Sequence, residues 1–440
     1  SVPVLLLDIK GDLSGIAAAA TVNDKITARY QKLNMEFKPA SFPVDLLTLS
    51  DQKGVKLKAT VSEFGPILIS KILGLNDTQG GVVAMIFKYC DDNKMPLLDL
   101  KDFIKVLQYV GNEGKQELQA TYGNISTTST GTILRKVIEL QQQGADLFFG
   151  EKSFEVEDLM RMSDDGRGKI SILRVTDLQD RPKLFSTFML QMLAELYAVM
   201  PEEGDLDKPK LVIFIDEAHL IFAEAGKALL DQINTVIKLI RSKGIGIYFC
   251  TQNPMDIPAS VLGQLGLKIQ HSLRAFTAND RTVIKQTAQN YPETKFYKTE
   301  DLITQLGIGE ALVTLLNEKG IPTPLAHVMM CTPRSRMDVL TDGEIENIVS
   351  HSKLVAKYNQ VIDSQSAYEI LTAKLDEAAA NPPVVANKKN VKPQETTLEK
   401  VANNTIVKSM MRNAGNIIVR SLLGSLGLGG RTRKSSKSWF

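Results

Sequence analysis

The sequence predicts an α/β protein built on a mostly parallel sheet, and three observations carry that expectation. Apolar runs recur along the chain: VPVLLL (2–7), KISILRV (169–175), LVIFI (211–215) and IGIYFC (245–250). They are nearly continuous rather than alternating, as suits parallel strands buried on both faces. Segments of helical periodicity lie between the later runs, the rhythm of a sheet covered by helices on both sides. Three of the runs also stop on polar residues: Asp8, the pair Asp216 and Glu217, and Thr251 with Gln252. In open parallel sheets ligands sit beyond the carboxyl ends of the strands, so these ends are the candidate site.

The elements follow in order. Residues 2–7 read as a buried strand that ends in the polar turn DIKGDLSG (8–15). Segments 42–50 and 55–62 read as short strands, the second closed by Gly65-Pro66. From Ile67 to about Gly150, apolar residues at i, i+3, i+4 predict a helical insertion of four or five helices. Strand 169–175 and an apolar-rich helix over 183–200 resume the α/β rhythm. LVIFID is the next strand, followed by an amphipathic helix over 227–244 with Gly244 as its C-cap. Residues 245–252 read as a buried strand that places Cys250 in the core. Strand 267–273, a short helix from about Asn279, and the strands EALVTLLNE and LAHVMM are expected to complete the sheet. The expected domains are 1–62 for the N-terminal part of the core, 63–165 for the insertion and 166–340 for the rest of the core. A helical extension at 341–380 and a linker, amphipathic helix and basic tail at 381–440 follow.

Bulk properties bound the possibilities. At 43% hydrophobic and 23% charged the 440 residues have an ordinary globular composition, enough for two or three domains. No apolar run reaches the ~18 residues a membrane span needs. Three distant cysteines suggest reduced thiols and a cytoplasmic location. Four scattered histidines form no zinc pattern. The net charge of +2 hides a basic tail: residues 384–440 carry +9, leaving −7 on the body. That tail suits an anionic partner, nucleic acid or membrane surface, or is a solvated end.

KLVIFIDEAHLIF (210–222) has the shape of a Walker B strand. Its first acid, Asp216, is expected to hold Mg²⁺ through water, since Mg²⁺ keeps several of its waters. Its second, Glu217, is expected to orient or deprotonate an attacking water. An Asp after a strand also caps helices, but capping accounts for one acid and not for two. Gln252, at the end of the next strand, is a candidate γ-phosphate sensor. Asp8, Lys10 and Asp12 form a candidate nucleotide-edge loop, or a surface turn of mixed charge. Arg241 and Arg274 are candidate arginine fingers, although a basic residue at a helix C-terminus is favoured by the dipole in any case. The usual partner of a Walker B strand, G-x-x-x-x-G-K-[ST], has no match in the 440 residues. The chain opens with Ser1 directly onto a strand, which reads as a cut end.

Long stretches, DIKGDLSG, FGPILISKILGLNDTQ, KPKLVIFIDEAHLIF, LIRSKGIGIYFCTQNPMDIP and LGIGEALVTLLNEKG among them, resemble the HerA-like helicase family in its bacterial YjgR-type branch. The resemblance spans nearly the whole chain. It implies a P-loop NTPase-like fold of the additional-strand class, ATP and Mg²⁺ as cofactors, and a hexameric ring acting on double-stranded DNA. It matches Asp216 and Glu217 to the Walker B acids and Gln252 to the sensor. Arg241 and Arg274 match positions that face a neighbouring subunit's nucleotide, and Asp8 and Asp12 match an acidic turn. The family's phosphate loop precedes the DIKGD strand, so the expectation is weak ATP binding by this polypeptide alone and an exposed sheet edge or face. Two alternatives stand beside the DNA motor: a secretion-type motor ATPase, and a non-catalytic scaffold that docks to a partner or a membrane surface.

Overall fold

A computed structural model describes residues 1–380, apart from 179–180, 205 and 224–226. The linker, amphipathic helix and basic tail expected at 381–440 lie outside the described residues. Six strands form one sheet: β1 (Val4–Asp8), β2 (Val44–Thr48), β3 (Val55–Lys56), β4 (Ile170–Arg174), β5 (Leu211–Ile215) and β6 (Ile245–Phe249). Their order is β3-β2-β4-β1-β5-β6, and every pairing is parallel. The expected α/β class with a mostly parallel sheet is the one observed. β1 lies between β4 and β5, with Leu7 opposite both Leu173 and Ile215. This register brings Asp8 and the residues that follow β5 to the same edge.

The strands are short, and neighbouring residues serve opposite faces. Leu5 and Leu7 of β1, Leu173 of β4 and Ile213 of β5 join the main core. That core continues through five helices, α1 to α5: Val61–Ile72, Asp77–Asp92, Leu100–Gly111, Lys115–Tyr122 and Thr127–Gln142. Helices α6 (Pro182–Val199) and α7 (Lys227–Leu239) pack on the same side. Leu6, Leu46 and Ile172 point the other way and are covered by residues 13–18 and by helix Asp342–His351. This second cover thins toward β6. There Phe214 and Tyr248 stack with ring centroids 4.6 Å apart, and Tyr248 stays 39% exposed. Among the described residues β6 is paired along one edge only.

Three expectations need correction. First, 55–62 is strand only at Val55–Lys56, because Thr60 and Glu63 close a capping box that starts α1 at Val61. Gly65 and Pro66 then kink that helix instead of ending a strand. Second, the last three strands do not complete the main sheet. β7 (Leu267–Gln270), β8 (Glu310–Leu315) and β9 (Ala326–Met329) form a separate antiparallel sheet in the order β7-β8-β9. β7 is not buried on both faces as a parallel core strand would be: Ile269 is 47% exposed while Gln270 is buried. Third, β6 stops at Phe249, and Cys250 is exposed rather than in the core.

Helix α7 gives way to a 3₁₀ turn over Ile240–Lys243, and Gly244 ends it with φ 73° as its cap. The small sheet packs one face on Ile284 and Ile303 from the helices Ala278–Gln289 and Thr299–Gln305, and on Leu306 just after the second. It meets the body through Arg29, whose guanidinium donates to the carbonyls of Ile308, Gly309 and Met330.

Candidate functional site: the carboxyl edge of the six-stranded sheet

The turn after β1 is built by Asp8. Its Oδ1 accepts from the Gly11 N–H at 2.7 Å and its Oδ2 from the Leu13 N–H at 3.3 Å. Gly11 has φ 80°, and a Cβ there would lie 2.6 Å from the Thr176 methyl after β4, so both the backbone angle and the close approach ask for glycine. Asp8 is fully buried, and burial raises its pKa against the opposing pull of those backbone N–H groups. Asp8 thus shapes the loop, while Asp12 is exposed and Lys10 projects along the edge.

Lys10 reaches the end of β5, where its ammonium pairs with Glu217 Oε1. Gln252 Nε2 donates to that same oxygen at 3.0 Å. The backbone brings the two ends together: Cys250 N–H donates to Ile215 O and Ala218 N–H to Cys250 O, each at 2.9 Å. Glu217 itself sits at φ 45°, a left-handed conformation uncommon outside glycine. His219 Nδ1 lies 3.2 Å from Glu217 Oε2, yet neither atom completes a hydrogen bond. Burial works against the Glu217 charge, but the Lys10 ammonium and the Gln252 amide outweigh it and hold the carboxyl below its ordinary range. Lys10 is raised by the same contact. Asp216, half-buried beside Glu217, is raised by burial first, with the Glu217 charge adding to it.

The structure therefore brings together Lys10, Asp216, Glu217 and Gln252 at one edge, with Asp8 and Asp12 in the adjoining turn. It does not bring the two arginines there. Arg241 lies in the turn that precedes β6, at the end where the strands begin. A five-residue strand separates it from the acids, ~16 Å at about 3.3 Å per residue. Arg274 lies beyond β7 and lines a cavity of about 540 Å³ with Phe276, Arg281, Glu300 and Asp301, all within the small-sheet unit.

The sequence offers Lys10 as part of a candidate nucleotide-edge loop and gives no sign that Lys10 and His219 both meet Glu217. Nor does it single out Gln52, whose amide donates to Thr176 Oγ1 and, at 3.2 Å, to Asp177 Oδ1 beside the Gly11 turn. The available signal was the one used for Asp8: Thr176 and Asp177 follow their strand in the same way.

The donor set suits a hard, hydrated cation. Among the described residues no group of three or more His, Cys, Asp and Glu could hold a metal outright. A site with one or two carboxylates that leaves the ion its waters is the mode Mg²⁺ favours. The 440 residues contain no G-x-x-x-x-G-K-[ST].

The parallel sheet gathers an acid pair and a neighbouring glutamine at its carboxyl edge. The chain belongs to the Helicase HerA-like C-terminal family, whose profile matches residues 1–433. A probable helicase of Methanocaldococcus jannaschii, MJECL08, is 26% identical over 289 residues, covering 57% of this chain and 53% of the relative. The chain thus spans about half the length of that curated relative. Among solved structures, the bacterial conjugative coupling protein TrwB superposes with a TM-score of 0.47 at 12% identity, covering 77% of this chain and 81% of that one. VirB4 of Thermoanaerobacter pseudethanolicus gives 0.47 at 13% identity, covering 76% and 83%.

Proposed function

We propose that this chain is the water- and metal-handling part of an ATP-driven motor that moves along double-stranded DNA. The observation that carries this reading is the joining of Glu217 to Gln252 at 3.0 Å across adjacent strand ends, with Asp216 one residue away. Asp216 would hold Mg²⁺ through its water shell. When bound, Mg²⁺ supplies positive charge to the phosphate oxygens. Glu217 orients the attacking water and accepts its proton. Gln252, tied to Glu217, links phosphate occupancy to the position of that base. Asp12 and the Asp8 turn border the nucleotide edge. Arg241 and Arg274, both remote from their own chain's acid pair, act across subunit boundaries in a homo-oligomeric ring. DNA as the substrate is supported by family membership and by the relative described as a probable helicase. No helix among the described residues is long and apolar enough to cross a membrane, and we place the motor in the cytoplasm. The basic tail, with +9 over residues 384–440, would hold DNA or an anionic surface. The phosphate cradle, which the 440 residues do not contain, would have to come from a loop-bearing strand seated beside β6.

The test is ATP turnover by the native protein, wild type against Glu217→Gln. The expected loss is about 10²–10⁴-fold, the contribution of a positioned general base. Double-stranded DNA should stimulate the wild type, with a steep decline as salt rises. Turnover that is insensitive to Glu217→Gln removes the motor assignment. Turnover that depends on Glu217 but ignores DNA and salt points instead to a motor for protein transfer. A second reading is a non-catalytic scaffold that has kept the fold and lost the chemistry. Absence of nucleotide binding by the native protein would establish it.

A further inference from the structure

Glu217 is poorly placed to take a proton from water in the structure as it stands. Its Oε1 is shared by two donors, the Lys10 ammonium and the Gln252 amide. Its Oε2 is sealed from solvent and faces His219 Nδ1 without a hydrogen bond. The Glu217 side chain is 7% exposed, so one oxygen is doubly engaged and the other enclosed. A general base needs a lone pair within hydrogen-bond reach of the proton it removes.

Lys10 is the partner built to leave. Its side chain is 47% exposed. It rides on a turn whose shape is set by Asp8 and Gly11, so the loop keeps its form when the ammonium moves. Its long flexible stem lets the head group swing into solvent. The ammonium also feels the charges of Asp216 and Asp12, which makes Lys10 the resident cation of an edge with three carboxylates. A divalent ion arriving at Asp216 meets that ammonium as a like charge.

We propose that Lys10 is a latch on Glu217: its ammonium occupies the acid pair in the resting site and is displaced when a divalent cation binds there, which frees the Glu217 carboxylate. The latch rests on the assignment of Asp216 to the metal made above. Lys10 is thereby a positioning residue, acting through Glu217.

Mn²⁺ binding to the full chain, followed by electron paramagnetic resonance without nucleotide, tests this directly. Lys10→Met should bind Mn²⁺ about tenfold more tightly than wild type, the scale of removing one unit charge a few ångströms from a divalent ion in a water-rich site. Lys10→Arg, which keeps the charge, should restore the wild-type affinity. Equal or weaker Mn²⁺ binding by Lys10→Met overturns the latch, as does an absence of binding by both proteins. Asp216→Asn separates the two levels of the argument. Mn²⁺ binding that survives Asp216→Asn unchanged removes the metal assignment, and the latch with it. Binding lost in Asp216→Asn but unaltered in Lys10→Met removes the latch alone.

Discussion

At the scale of single residues, Glu217 shows how a strained position is held. Its φ of 45° costs on the order of 1–3 kcal/mol for a non-glycine residue and persists only where the surroundings over-determine it. Here the Ala218–Cys250 backbone bond fixes the following residue, and Lys10 and Gln252 grip the side chain. Asp45 is a second over-determined residue, away from the site. It is 1% exposed and meets Arg161, Lys169 at 3.2 Å and the Ser352 hydroxyl at 2.8 Å. Asp45→Ala leaves two cations beside an apolar sheet face. Urea denaturation should show a loss of about 3–5 kcal/mol, the usual cost of breaking one side of a buried pair. An unchanged midpoint would mean that water replaces the carboxylate. Asp8 marks the limit of reading residues from sequence. An acid at a strand end looks like a ligand-facing group, yet both its oxygens are spent on backbone N–H groups of its own turn. A sequence shows which donors and acceptors exist, not which of them find each other.

At the scale of elements, helix α6 carries an unusual acid. Burial pushes the Glu195 carboxyl up to about 8 from an ordinary 4.5, with Glu63, Glu157 and Glu155 adding like charge. The folded chain therefore keeps a proton that the unfolded chain has already lost. Between about 4.5 and 8 the unfolded state binds fewer protons, so stability falls as pH rises through that window. Glu195→Gln should flatten this part of the stability profile and raise the melting temperature most at the alkaline end. A profile that keeps its slope in the variant would assign the effect to other groups. The elements themselves were legible to different degrees. Continuous apolar runs identified β1, β4 and β5, where burial leaves few polar positions, and also β6, whose second face stays partly open. The last three strands were not legible as a separate sheet, because short strands rich in Leu, Ile and Val read alike until their partners are known. The start of α1 depended on a Thr60–Glu63 capping box that competes with an extended reading of the same residues.

At the scale of the whole molecule, the main sheet is finished on one side and open on the other. β3 is short and lies against helix Lys353–Tyr358, through Asn359, which bonds both Lys56 N–H and Gly54 O. β6 has no such cover among the described residues, and its Tyr248 is 39% exposed. An open apolar edge templates association. Tyr248→Lys should lower the light scattering of the polypeptide at micromolar concentration, while urea denaturation shows a loss of about 0.5–1.5 kcal/mol from the broken Phe214 stacking. Equal scattering would place the sticky surface elsewhere.

One side chain, Arg29, ties the small sheet to this body by reaching three carbonyls, and Gly309 makes room for it. A Cβ on Gly309 would stand 2.6 Å from the Arg29 guanidinium. That guanidinium links the residue before β8 and the residue after β9 to the helix Asp24–Leu33, so a pull on either strand is shared with the helix. Arg29 is then a rivet, and the glycine is the hole drilled for it.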